Sequence, residues 1–194
     1  MKLFASPRSK VHPDRFSDEG TVLMAHVSGF ENIASILRPT ELVEFLNERQ
    51  SAQERIITEH EGIAYLFVGD AIVAYWKGMG TKQECAVRAF QAARELLAAA
   101  PEAVDYRVCL GSGPLAGAYF GPVAQFQVVG PAMTEATLLT HMPLAAHRVI
   151  LFAQSTKALL PEGTYDFTVI DTLPDSVLAY MYIPRMGRGP TPAA

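Results

Sequence analysis

Two side chains that could bind a metal or transfer a proton, His26 and Asp70, lie beside short apolar segments. An imidazole and a carboxylate together suit Zn²⁺ or another transition metal ion, and a histidine that titrates near neutrality can act as a pH switch. The plainer alternatives are a histidine at a strand end that is satisfied by local hydrogen bonds, and an aspartate that is present because it tolerates a tight turn. The residue types alone leave both alternatives open.

The segments around these two residues are predicted to be a strand and a hairpin. Residues 21–27 form an apolar run with Gly20 before it and Ser28-Gly29 after it. The run is short enough for a buried strand. Residues 63–68 and 71–76 are β-rich runs separated by Gly69 and Asp70. Glycine first in a two-residue loop favours a type II′ turn, so the pattern places Asp70 at the tip of a tight hairpin.

The rest of the chain alternates helical and strand patterns. Thr40 is predicted to cap a helix that runs to about His60, because apolar residues recur there at helical spacing. A capping box of Thr81 and Glu84 opens a second helix that ends near residue 99. The other predicted elements are strands at 106–110, 115–120 and 124–129, a helix at 131–139, a strand at 149–152, a short helix at 155–160, and a hairpin of 165–172 with 176–183. This order indicates an α+β fold with a mostly antiparallel sheet.

The composition fits one globular domain. A chain of 194 residues can bury one sizeable core, and 49% hydrophobic with 19% charged residues is an ordinary globular balance. Prolines and glycines interrupt both ends, so we expect an arm or linker at 1–20, one domain at 21–183 and a flexible tail at 184–194.

Net charge and cysteine content limit the kinds of partner and the cellular compartment that we expect for the chain. A net charge of −4 without a basic stripe gives no support for nucleic-acid binding. No apolar run approaches the roughly 18 residues that span a bilayer, so no membrane contact is expected. Cys85 and Cys109 show no CxxC spacing, which favours a reduced, cytoplasmic protein.

The order of elements and several short motifs resemble the catalytic domain of class III adenylate and guanylate cyclases. The similarity extends over residues 21–183 and includes Gly29-Phe30 at the start of the first helix, Arg107-Val-Cys-Leu-Gly-Ser-Gly-Pro-Leu-Ala-Gly, and Val128-Val-Gly before a short helix. The resemblance implies a ferredoxin-like βαββαβ core with helices packed on the sheet and a C-terminal β-α-β-β extension. It also implies a homodimer, or a heterodimer with another cyclase-type domain, because domains of this family pair head to tail.

The same resemblance implies a site that cyclises a nucleoside triphosphate with two divalent cations, Mg²⁺ or Mn²⁺, held by two aspartates. Asp70 matches the second of these aspartates, whereas His26 stands at the position of the first. Mg²⁺ prefers oxygen ligands, so an imidazole at position 26 is a poor replacement for a carboxylate.

The other positions at which the family carries polar groups have lost them. The base-reading lysine falls on Leu66 and the base-reading aspartate on Pro131, while the ribose-orienting asparagine falls on Thr134 and the phosphate-contacting arginine on Leu138. Leucine has no hydrogen-bonding side chain, and proline lacks even its backbone N–H. We therefore expect no catalytic residues and no cofactor; if a metal binds, Mg²⁺, Mn²⁺ or a Zn²⁺ at His26 and Asp70 is the candidate.

These losses favour a catalytically degenerate cyclase homology domain, a pseudoenzyme that acts as a dimerising or regulatory signalling module. One alternative is a divergent active adenylate or guanylate cyclase, which forms a cyclic nucleotide and pyrophosphate and would be a phosphorus–oxygen lyase. Another is a non-catalytic sensor of a nucleotide or other small ligand in the interface cleft. The aromatic residues Tyr119, Phe120 and Phe126 either line a partner surface or pocket, or fill one face of the sheet.

Overall fold

The computed structural model describes residues 15–27, 29–78, 80–101, 104–122, 124–144, 148–173 and 177–184. Most of the predicted N-terminal arm, and the predicted tail beyond residue 184, lie outside these ranges. The elements in chain order are β1 (Arg15–Val27), α1 (Phe30–Ile36), α2 (Pro39–Glu59), β2 (Ile63–Val68), β3 (Ala71–Lys77), α3 (Lys82–Ala99), β4 (Tyr106–Phe120), β5 (Gln125–Val129), α4 (Pro131–Thr140), β6 (Arg148–Ala153), α5 (Gln154–Lys157), β7 (Thr168–Leu173) and β8 (Val177–Tyr182).

All eight of these strands belong to one sheet. Seven of them follow the order β2-β3-β1-β4-β6-β8-β7, and β5 pairs with the second half of β4. The β4–β6 pair is parallel, and the other pairs are antiparallel. The order β2-β3-β1-β4 is that of a ferredoxin-like core, and β6-α5-β7-β8 extends it. The predicted α+β fold, the core and the extension are therefore confirmed.

Side chains that alternate along the strands divide the core between two faces of the sheet. On one face, called here the α3 face, α2 and α3 cover a cluster that includes Trp76, Phe90 and Phe152, each at most 1% exposed. On the opposite face, called here the α4 face, α4 covers two smaller clusters around Tyr75 and Leu139. The catalytic positions implied by the resemblance lie on the α4 face and at the β2–β3 turn.

The predictions of the β2–β3 hairpin and of the capping box of α3 are both correct in detail. Strands β2 and β3 are joined by Gly69 and Asp70; Gly69 has φ 58°, while Asp70 does not have a positive φ, as a type II′ turn requires. The Thr81 hydroxyl accepts a hydrogen bond from the Glu84 backbone N–H at 3.1 Å, and the Glu84 carboxylate accepts one from the Thr81 N–H at 2.9 Å. Local turn and cap chemistry determined both features.

Two strand predictions are wrong at their boundaries. Strand β1 begins at Arg15 and not at residue 21, so the last six residues of the predicted arm pair with β4. The segments 106–110 and 115–120 are one strand, β4, which continues through Gly111 and Pro114. Neither β5 nor β6 pairs with β4 at Pro114, so its missing N–H is tolerated on that side.

Smaller differences occur elsewhere. Helix α2 begins at Pro39 with Arg38 as its N-cap, so the prediction of Thr40 as the cap is wrong and Thr40 lies inside the helix. Strand β7 begins at Thr168, three residues later than predicted. Both cysteines are buried and free, as expected for reduced structural thiols. In the described part of the chain, no helix is long and apolar enough to cross a membrane.

Candidate functional site

His26 and Asp70 lie where the end of β1 meets the β2–β3 turn. The Asp70 carboxylate oxygen Oδ2 accepts a hydrogen bond from the Val27 backbone N–H at 2.6 Å, which fastens the turn to β1. Helix α2 holds the same turn from its other side, since Gln50 Nε2 donates to the Gly69 carbonyl at 3.0 Å. The structure therefore brings the two predicted residues together, and Asp70 lies in the tight turn that the plainer alternative invoked, with its carboxylate bonded to β1.

His26 occupies a partly buried position opposite a cation. Its Cα partner on β4 is Arg107, and its Nε2 is buried without a hydrogen-bond partner. Burial lowers the pKa of His26 below 6.5; the Asp70 charge and a backbone hydrogen bond at Val27 oppose this, whereas the charges of Arg107 and His141 lower the pKa further. The imidazole is thus held neutral near pH 7. The expectation that local hydrogen bonds fully satisfy it is wrong for Nε2.

Arg107 closes the end of α4. Its Nη1 donates to the carbonyls of Thr140 at 3.1 Å and Met142 at 2.9 Å, and its Nη2 donates to the carbonyl of Leu144 at 3.2 Å. Only 8% of the residue is exposed. The last carbonyls of a helix carry partial negative charge and lack partners within the helix, so a buried guanidinium is a strong cap. The sequence reasoning used this arginine only as part of a motif and missed its capping role.

The four positions at which the resemblance implies lost groups are filled by residues that pack or bond locally. Leu66 packs against the α4-face cluster around Tyr75, and Leu138 packs against the cluster around Leu139. Pro131 is the first residue of α4. The hydroxyl of Thr134, the only polar side-chain group of the four, donates to the Gly130 carbonyl at 3.2 Å. These positions offer no donor for a base or a phosphate beyond that hydroxyl.

The metal-ligand chemistry at this place is also incomplete. Among the described residues, no group of three or more His, Cys, Asp and Glu side chains could hold a metal ion. One oxygen of Asp70 is already bonded to the β1 backbone, and the nearby imidazole faces Arg107 across the strands. Two divalent cations need several oxygen ligands, so these residues do not fit a two-metal site.

A hydrogen-bond network around Glu135 of α4 was not predicted from the sequence. The Ser155 hydroxyl donates to Glu135 Oε2 at 2.5 Å, and the Ser112 hydroxyl lies 2.9 Å from the hydroxyls of both Thr21 and Thr156. Burial raises the pKa of Glu135, and its hydrogen bonds to Ser155 and to the Ser112 backbone partly offset this rise. The network joins α4, β4, β1 and α5. No local sequence pattern signals it, because its members come from four separate elements.

Comparison with known proteins identifies the fold. No family model and no curated protein matches the chain in sequence. Solved structures that resemble it include the catalytic core of a rhodopsin-guanylyl cyclase with converted specificity in complex with ATPαS, at a TM-score of 0.76 and 18% identity, covering 89% of this chain and 99% of that one. The adenylyl cyclase CyaB from P. aeruginosa gives a TM-score of 0.75 at 17% identity, covering 91% of this chain and 100% of that one.

A third similar structure is the non-canonical dimeric guanylyl cyclase domain of the RhoGC fusion protein from the aquatic fungus Blastocladiella emersonii. Its TM-score is 0.73 at 17% identity, and the match covers 88% of this chain and 97% of that one. The chain therefore has the fold of the class III nucleotide cyclase catalytic domains over nearly their whole length.

Proposed function

We propose that this chain is a catalytically degenerate cyclase homology domain that works as a dimerising, regulatory module in intracellular signalling. The observation that carries the proposal is the chemistry of the old catalytic positions on the α4 face. Leu66, Pro131 and Leu138 offer no side-chain hydrogen-bond donor, and Thr134 bonds to its own helix. The scaffold is intact, but the groups that would bind a nucleotide and stabilise its reaction are replaced.

The size of the expected catalytic defect follows from the number of lost groups. Removing one donor that stabilises developing charge in a transition state commonly costs about 3 to 4 kcal/mol. Here the base-reading, ribose-orienting and phosphate-contacting positions change together, and one metal-binding carboxylate is replaced by His26. A partner domain of the usual kind does not restore the set, because this chain has neither a complete metal half nor a complete base-reading half.

The dimer part of the proposal is supported by an apolar surface on the β4–β5 hairpin. Tyr119, Phe120 and Val129 are 42%, 43% and 43% exposed, whereas Phe126 on the same hairpin is buried. In the strand register, Phe120 and Val129 share one face of the hairpin and Tyr119 lies on the other; exposed large apolar side chains are found at interaction sites. One structure with this fold is a dimeric cyclase domain, which agrees with the same mode of action here.

The test of catalysis is product formation from ATP and from GTP with Mg²⁺, Mn²⁺ or Zn²⁺, measured by mass spectrometry of the cyclic nucleotides. We expect no product above a heat-inactivated control. The matched variant is Asp70→Asn, which keeps an oxygen acceptor for the Val27 N–H and removes the charge. Turnover by the wild-type chain that Asp70→Asn abolishes would show an active, divergent cyclase and overturn the proposal.

The test of association is sedimentation equilibrium over a range of protein concentrations. We expect a dimer in the micromolar range that Phe120→Ser weakens. The control is Val169→Ser, which changes an even more exposed apolar residue in β7, at the far edge of the sheet. A chain that stays monomeric at high micromolar concentration contradicts the dimer proposal. Thermal-shift measurements with ATP and GTP on the same samples test the alternative of a non-catalytic nucleotide sensor.

A further inference from the structure

A cleft on the α3 face lies between α2, the end of α3 and the start of β4. Its volume is about 180 Å³, and Arg49, Gln53, Ile56, Leu96 and Tyr106 contribute to its walls. The sheet separates it from His26 and from α4. It is smaller than the roughly 300 Å³ at which drug-sized sites begin, so it suits a small metabolite.

Two polar atoms at this cleft are buried without partners. Gln53 is only 5% exposed; its Nε2 donates to the Tyr106 hydroxyl at 2.6 Å, but its Oε1 has no hydrogen-bond partner. The Nε of Arg49 is likewise buried and unpaired. Buried polar atoms are nearly always hydrogen-bonded, so two exceptions at one cleft indicate groups that a bound molecule can satisfy.

The positive charge of Arg49 is also not neutralised by a carboxylate. Its guanidinium lies 5.1 Å from the Tyr106 ring centre and 5.8 Å from the Phe45 ring centre. Glu48 lines the same cleft, but none of the ion pairs found among the described residues includes Arg49. Burial raises the pKa of Tyr106 to about 12, so the tyrosine is uncharged at neutral pH. The cleft therefore contains one guanidinium that makes no ion pair among the described residues, with Glu48 also in its lining.

Apart from Glu48, the remaining walls are apolar. Ile56 is 1% exposed, Leu96 is 2% exposed and Ala100 is 7% exposed. A molecule that fills the cleft thus meets a guanidinium and an aliphatic surface, and lies beside the unpaired Gln53 carbonyl oxygen, which has almost no exposed surface. Such a combination of an apolar wall with a few convergent polar groups is typical of small-molecule sites.

We propose that this cleft binds a small organic carboxylate that carries an apolar body and a hydrogen-bond donor. The carboxylate accepts from Arg49, the donor bonds to Gln53 Oε1, and the body packs on Ile56 and Leu96. Arginine and carboxylate form strong charge-assisted hydrogen bonds, which makes the negative charge the main determinant of affinity. The proposal concerns the α3 face and does not depend on whether the α4 face is catalytically degenerate.

The test is an NMR titration of the ¹⁵N-labelled full chain with 3-hydroxybenzoate, benzoate and 3-hydroxybenzyl alcohol. We expect saturable shifts of the Gln53 side-chain amide and of the Leu96 and Ala100 backbone amides with 3-hydroxybenzoate. Benzoate lacks the donor and is expected to bind more weakly. The neutral alcohol lacks the carboxylate and is expected to bind at least about tenfold more weakly.

Two variants separate the site from the stability of the fold. Arg49→Met is expected to weaken binding of 3-hydroxybenzoate at least about tenfold, whereas Arg55→Met is expected to leave it unchanged. Arg55 lies on the same helix but is exposed and paired with Glu59 at 3.0 Å. Ala52→Leu fills the cleft from an exposed position of α2, keeps Arg49, and is expected to block binding.

The binding of 3-hydroxybenzoate by the variants decides whether the cleft is a carboxylate site. Loss of binding in Arg49→Met and Ala52→Leu, with wild-type dispersion of the NMR spectrum, supports the site. The proposal is overturned if neither aromatic acid gives saturable shifts below about 10 mM, if the neutral alcohol binds as tightly as 3-hydroxybenzoate, or if binding survives in both variants.

Discussion

Two arginines on neighbouring strands perform the same task on opposite faces of the sheet. Arg107 on β4 and Arg148 on β6 lie at adjacent positions of the parallel pair, since Arg148 is the Cα partner of Tyr106. Arg148 binds the carbonyls of Leu97, Ala100 and Pro101 at the end of α3, whereas Arg107 binds three carbonyls at and beyond the end of α4. Each cation complements the negative end of a helix dipole.

The difference lies in what surrounds the two guanidinium groups. One bond of Arg148 is at an exposed place, while Arg107 is 8% exposed and faces His26 across the strands. A carboxylate opposite Arg107 would pair with its charge, whereas the pKa of the imidazole is lowered mainly by burial and further by the charge of Arg107. The structure therefore places a neutral imidazole, and not a second carboxylate, near Asp70 and Arg107, and the α4 face is expected to be sensitive to pH.

The largest expected effect tests the two helix caps directly. Arg107→Met leaves three partly buried carbonyls without their donor, and we expect it to lower the free energy of unfolding by about 3 kcal/mol. Arg148→Met removes an equivalent set of bonds at a more exposed place, where water can replace part of them, and we expect a loss of about 2 kcal/mol. Chemical denaturation followed by circular dichroism measures both.

The control for the arginine pair is Arg55→Met on the surface of α2. Its side chain is 62% exposed and its ion pair with Glu59 joins residues four positions apart, so the expected loss is at most about 0.5 kcal/mol. An Arg107→Met loss no larger than that of Arg148→Met would contradict the conclusion that the α4 cap is the more buried and the more costly to remove.

An intermediate effect concerns pH and the α4 face. The folded-state pKa of His26 is below its ordinary value of 6.5, so His26 binds a proton more readily in the unfolded chain than in the folded one. Stability is therefore expected to fall as pH drops below 6.5, and the loss stops once pH is below the folded-state pKa. His26→Gln cannot titrate, and we expect a flatter decline in the free energy of unfolding over this range.

The groups around His26 sharpen this prediction. Arg107 and His141 lower its pKa, while Asp70 raises it. Removing Arg107 should thus bring the pKa of His26 closer to 6.5, so the share of pH dependence that His26→Gln removes is expected to be smaller in an Arg107→Met background. Equal pH dependence in wild type and His26→Gln would show that the titration lies elsewhere in the chain.

The fold was predictable to the extent that local chemistry determines it. The Gly69–Asp70 turn and the Thr81–Glu84 capping box each depend on residues at most three positions apart, and both were predicted correctly. Gly111 suggested a break between two strands, but it lies inside β4. The position needs a glycine because α4 packs directly on the strand there. A Cβ there would come within 2.2 Å of the Ala132 carbonyl oxygen. Only the tertiary packing reveals that reason.

The candidate site was predictable in position but not in surroundings. The resemblance located His26 and Asp70, and the fold brings them together. Neither the capping by Arg107 nor the cleft at Gln53 was predicted, because their partners are distant along the chain: Gln53 and Tyr106 are 53 positions apart. A single sequence gives no pattern for such contacts.

The smallest expected effect concerns Glu135 of α4, whose pKa is shifted in the opposite direction to that of His26. Burial raises its folded-state pKa above 4.5, so its neutral form is the one that the fold favours. The associated stability is fully present below pH 4.5 and is lost as pH rises through the folded-state pKa. Glu135→Gln stays neutral and keeps an oxygen that can accept from Ser155. We expect it to be at least as stable as wild type at neutral pH, with the difference vanishing in acid.

A control of opposite sign is Glu41, whose pKa is lowered by its hydrogen bonds to the side chain and backbone of Arg38. Glu41→Gln should lose a small stabilisation at neutral pH, and this difference should also vanish in acid. If Glu135→Gln instead lowers stability at neutral pH, the ionised carboxylate must gain more from Ser155 and the Ser112 backbone than burial costs it. A negative charge at Glu135 would then be supported on the α4 face, opposite in sign to the charge of Arg107.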